Sequence, residues 1–202
     1  MVENYLIHHT WLPALLWVVL YSSDYFLTLV GAKLIRRQSF FEYEGSYELT
    51  PEYQDDIDKA RKLSPRFVVW LLFGVGVLLA PAITGVPSGW EVLYGIFMGA
   101  LIGPELVVHI RHIRNITSFS QLASPSAGVV GHLSISKRYS YKCSCVELGS
   151  FAGLLLVLCG FTMSPILLGG ALATTRHALS HYKLAASSKP NPDMVKQNDT
   201  NN

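Results

Sequence analysis

Residues 148–175 read LGSFAGLLLVLCGFTMSPILLGGALATT, and no side chain in this stretch is ionisable. A single straight helix of that length would reach about 42 Å, against a hydrocarbon core of roughly 30 Å. Its middle, Thr162-Met163-Ser164-Pro165, reads as a stop followed by a restart. Serine is a good helix N-cap, and proline suits the first helical position because its missing N–H would have no partner there anyway. The stretch therefore predicts two membrane-crossing helices, near 146–161 and 165–183, joined by a tight turn.

Three more apolar runs lie upstream. Trp11 to Ala32 contains Asp24 as its only charge, and Phe67 to Val86 contains none. Ser64-Pro65 opens the second run as Ser164-Pro165 opens the last. The third, Val92 to Ile110, follows Ser88-x-x-Glu91, a capping-box pattern. Trp11, Trp17, Trp90 and Tyr94 are the residue types that gather near membrane interfaces. The predicted fold is an all-α, polytopic transmembrane helical bundle of five spans, near 11–34, 66–85, 89–112, 146–161 and 165–183. Inner loops cover 35–65 and 113–145, and a disordered polar tail covers 185–202. Four spans is the alternative.

Composition points the same way. Half of the 202 residues are apolar and only 15% are charged, whereas soluble domains carry about a quarter charged residues. The net charge of +2 gives no footing for a nucleic-acid partner. All 16 Lys and Arg fall in 33–66, 111–142 or 176–196. Five spans put these regions on one side, with the N-terminus out and the C-terminus in, which is the positive-inside pattern. Residues 1–32 hold no Lys or Arg, so no cleavable signal is expected at the N-terminus. The expected location is the cell (cytoplasmic) membrane, with the lipid bilayer as first partner. A second copy or another membrane protein is a further candidate partner.

A charge inside a bilayer is costly, so Asp24 is a functional-site candidate. Tyr21, Asp24, Tyr25 and Thr28 share one helical face. The structural reading is a buried hydrogen-bonded Asp that fixes packing; the functional reading is a substrate, proton or ion site. Glu105, His109 and His112 share a face of the third span, and His177 and His181 a face of the fifth. His109, His112, His177 and His181 are candidate metal or haem ligands, although no cofactor is expected. Histidines near span ends also anchor to headgroups. Glu105 lies deeper, and a pairing with Arg111 or His177 is one way to neutralise it. Gly95, Gly99 and Gly103, four apart, form a groove for close helix approach.

Other features have ordinary explanations. Asp55, Asp56 and Asp58 precede Lys59, Arg61 and Lys62 on an expected short helix, 51–63, in the order that suits the helix dipole. Cys143-x-Cys145 offers half of a structural metal site. The alternating stretch from His132 to Tyr139 is expected to lie along the inner surface. The acceptor pattern Asn115-Ile-Thr117 falls on the basic side and should be unused.

The intramembrane Asp24-x-x-x-Thr28, followed by Glu44-Gly-Ser-Tyr-Glu-Leu-x-Pro51, resembles a family of small, uncharacterised multi-span membrane proteins. The likeness covers residues 15–66 and implies a multi-span membrane protein; the family has no assigned activity, so the resemblance adds no catalytic role. No phosphate loop, nucleophile elbow or zinc-protease signature is present. The leading expectation is a non-enzymatic binding or assembly protein. The alternatives are an ion or small-solute transporter component using Asp24 and Glu105, and a membrane enzyme or metal or haem protein using the histidines.

Overall fold

The computed structural model describes residues 2–37, 41–87, 89–122, 131 and 133–188. Among them the chain is nearly all helix: α1 (Val2–His8), α2 (Trp11–Arg36), α3 (Gln54–Asp58), α4 (Pro65–Thr84), α5 (Glu91–Leu122), α6 (Lys137–Thr162) and α7 (Pro165–Ser187). Two three-residue strands, β1 (Phe41–Tyr43) and β2 (Leu133–Ile135), pair in parallel, with Glu42 opposite Ser134. Four helices, α2, α4, α5 and α6, are long and apolar enough to cross a membrane; α7 is long enough but more polar.

The helix starts follow local chemistry. Ser64 Oγ accepts the Phe67 N–H at 3.4 Å, and Ser164 Oγ accepts the Leu167 N–H at 3.3 Å, each ahead of a proline. Ser136 caps α6 by accepting from Tyr139 N at 3.2 Å. Between α6 and α7 the chain reverses at Met163, which takes a left-handed conformation. Ser88 lies outside the described residues, but Glu91 Oε2 accepts the Gly89 N–H at 2.8 Å.

Helix α7 packs along both α5 and α6, while α2 packs on α4 and α5. The glycine face of α5 meets α7. A Cβ at Gly99 would overlap the Ile166 carbonyl, and one at Gly103 would stand 2.6 Å from the Gly170 Cα. Gly169 meets Ile96 in the same way. The outer faces stay apolar and uncovered: only 11% of the apolar window of α6 is buried.

Several boundaries differ from expectation. Helix α5 runs to Leu122, beyond 112, and α6 begins at Lys137, before 146, so much of the expected loop 113–145 is helix. The extensions carry tertiary contacts: Arg114 pairs with Glu147 across α5 and α6, and Phe119 is buried beside Tyr47. The short helix expected at 51–63 is only Gln54–Asp58, ending where Ala60 adopts φ 50°. Of the alternating stretch, His132 lies outside the described residues and Leu133–Ile135 forms β2. Residues 185–187 belong to α7, and the rest of the expected tail from 189 onward is outside the described residues.

Two aromatics expected at an interface are packed inside. Trp17 is 4% exposed, lies against Gly74 and donates its Nε1–H to the Leu71 carbonyl at 3.1 Å. Tyr94 donates its hydroxyl to the Leu78 carbonyl at 2.8 Å. Both are amphipathic rings whose single polar atom found a backbone acceptor, which makes burial affordable. Trp11 and Trp90 remain exposed.

Candidate functional site

A cavity of about 450 Å³ sits among α2, α5, α6 and α7, at the end of the bundle that carries the arginines. The segment Tyr43–Ile57 contributes Tyr47, Glu48 and Tyr53 to its lining. Asp24, Thr28, Glu105, His112, His177 and His181 all line it, although they come from three different helices. The volume is that of a small-molecule pocket.

The Asp24 side of the cavity is tightly bonded. Asp24 Oδ1 stands 2.7 Å from His112 Nε2, and Thr28 Oγ1 stands 3.3 Å from the same nitrogen. A carboxylate only accepts, so Nε2 carries the proton. His112 Nδ1 is buried and has no partner. Across the cavity Tyr21 and Tyr53 join their hydroxyls at 2.7 Å. Glu105, on α5 beside Pro104, has one buried carboxyl oxygen, Oε2, with no partner.

Of the two candidate partners of Glu105, Arg111 is engaged elsewhere. Arg111 donates Nε–H to Glu147 Oε2 at 2.9 Å, and Arg114 donates Nη1–H to Glu147 Oε1 at 2.7 Å. Arg111 Nη2 is buried and unpartnered. One carboxylate thus faces two guanidinium groups, and the Arg111–Glu147 pair is little exposed, at 15% and 16% of each side chain.

The four histidines are not brought into one set. His109 does not line the cavity; it donates Nδ1–H to the Glu105 carbonyl at 2.6 Å and meets Ser23 Oγ at 2.7 Å with Nε2. His181 Nδ1 bonds Ser144 Oγ at 2.7 Å, beside the ring of Tyr141. Among the described residues no three His, Cys, Asp or Glu side chains stand together as a metal site. Cys143 and Cys145 are free thiols. The acidic group before α4 is held by bases instead: Lys59 with Asp55 at 2.6 Å, Arg61 with Asp56 at 2.9 Å and Arg36 with Asp58 at 3.2 Å. Asn115 lies inside α5 and donates Nδ2–H to the Tyr47 hydroxyl at 3.4 Å.

Sequence reasoning missed Glu147 and Tyr53, and met Tyr47 and Glu48 only as part of the 44–51 motif. Glu147 had a signal, being the sole acidic residue from Lys137 to Ser188. In the loop, burial pushes the Glu48 carboxyl above its ordinary range, partly opposed by the Thr50 N–H that it accepts. Burial also raises the Tyr43 hydroxyl to about 12. Compared with known proteins, the chain matches no family model, no curated protein and no solved structure. The site therefore stands on its own geometry.

Proposed function

We propose that this chain is an integral, multi-pass membrane protein whose cavity binds a small polar ligand, acting as a binding protein rather than an enzyme. The supporting observation is that three residues of the cavity lining, Arg111, His112 and Glu105, each carry a buried polar atom without a partner: Nη2, Nδ1 and Oε2. Buried polar groups are nearly always hydrogen-bonded, and leaving one unmet costs about 1–3 kcal/mol. Three lining residues with such atoms favour a polar molecule in the cavity over an apolar one.

The topology in this reading has five spans, with the N-terminus out and the C-terminus in. Helix α7 is the polar member, yet the turn at Met163–Ser164 sends it back along α6 and its close approach to α5 covers its small-residue face. A helix covered by its neighbours tolerates polarity that lipid would reject. Its 23 residues reach about 35 Å at roughly 1.5 Å per residue.

The test is purification in mild detergent followed by native mass spectrometry. A stoichiometric small molecule or lipid, lost in Arg111→Ala, is the expected result. Ligand-free protein associated only with itself or with a protein partner would transfer the reading to assembly. The Asp24–His112 bond beside Glu105 favours a second reading, a transporter component. Ion flux in vesicles that is absent, or unchanged by Asp24→Asn, would remove it.

A further inference from the structure

The cavity holds charges that its own side chains leave incompletely matched. Glu147 alone faces two guanidinium groups, and Arg111 Nη2 has no acceptor. Three further carboxylates, Asp24, Glu48 and Glu105, line the cavity, and the base His112 is held by Asp24. Glu105 Oε2 has no donor. Glu105 and Arg111 lie on the same helix, about 9 Å apart along its axis.

We infer that the cavity takes a small zwitterion, with an ammonium group against Glu105 and Asp24 and a phosphate or carboxylate against Arg111. This rests on the binding reading above and names its ligand class. A simple anion would satisfy Arg111 but add negative charge beside an unmatched carboxylate. A simple amine would satisfy Glu105 but leave the guanidinium N–H bare. A molecule with both groups offers an acceptor to Arg111 and a donor to Glu105, and guanidinium is well suited to phosphate or carboxylate. The same chemistry occurs in free amino-phosphates and in the headgroup of an ethanolamine phospholipid.

The test uses the full chain in nanodiscs of phosphatidylglycerol alone, titrated calorimetrically with phosphoethanolamine, ethanolamine and inorganic phosphate. Phosphoethanolamine should bind about tenfold more tightly than either fragment, the contribution of one added charge-assisted hydrogen bond. Glu105→Gln should erase its advantage over phosphate, with phosphate itself bound no more weakly than before. Arg111→Lys should erase its advantage over ethanolamine. If Glu105→Gln does not yield monodisperse helical protein, Asp24→Asn provides the same comparison. A fragment that binds as tightly as the zwitterion, or variants that change neither ratio, would overturn the inference and leave the binding reading intact. No binding by any of the three probes would also overturn it, and the binding reading would then rest on the native mass spectrum. Repeating the titration with phosphatidylethanolamine in the disc separates the sources: lost probe binding assigns the headgroup, and unchanged binding assigns the free molecule.

Discussion

Glu147 illustrates how one side chain can hold two helices and shape a cavity at once. It accepts from Arg111 and Arg114 on α5 while standing on α6. Removing its charge leaves a little-exposed guanidinium without a counter-charge, which costs far more than a surface pair. Glu147→Gln should therefore destabilise the protein by about 3 kcal/mol, read as a lower midpoint in thermal unfolding in detergent. Glu48 behaves in the opposite sense. Its folded-state carboxyl is raised by burial, so the stability linked to its proton is present at acid pH and is lost as pH rises through the folded value. Glu48→Gln should then raise the unfolding midpoint at pH 7 and change it little near pH 4. An equal shift at both pH values would contradict a buried, ionising Glu48.

At the scale of elements, the contact between α5 and α7 depends on the absence of side chains. Gly99 and Gly169 each bring a Cα against a carbonyl of the facing helix, and backbone cannot yield as a flexible side chain does. Gly99→Leu should separate the pair and cost about 3 kcal/mol, the upper range for overpacking. Gly149→Ala is the comparison, because nothing lies within 4 Å of its added Cβ; inside a helix it should gain about 0.5–1 kcal/mol. Paired unfolding curves of the two variants check both signs. Glycine spacing made the groove legible in the sequence, but the identity of the facing helix was not. Gly169-Gly170 carries no signal of what it opposes, and only the reversal at Met163 brings it alongside.

For the whole molecule, the distribution of Lys and Arg and the four long apolar helices support a membrane bundle, and the proposed topology makes a direct prediction. A reporter fused after Asn202 should be active only on the inner side, and Cys143 should react with a membrane-impermeant maleimide only when that side is opened. Labelling of Cys143 from the outside would reverse the orientation. A C-terminal reporter outside, with Cys143 inside, would reduce the spans to four.

The apolar runs, their serine–proline starts and the one-sided basic residues are local properties. Hydrogen bonding and transfer out of water act on consecutive residues, so these were readable from the chain alone, as was the suspicion attached to Asp24, Glu105 and the histidines. What the chain alone left open was which of them meet. A pairing with Arg111 or His177 was one way to neutralise Glu105; instead Arg111 pairs with Glu147, and Asp24 takes His112. The extra turns of α5 and α6 and the Tyr47–Tyr53 segment over the cavity were likewise hidden, because polar helix ends are held by partners distant in sequence. Pairing between buried charges depends on distances of a few ångströms across helices, and those distances exist only once the helices have packed.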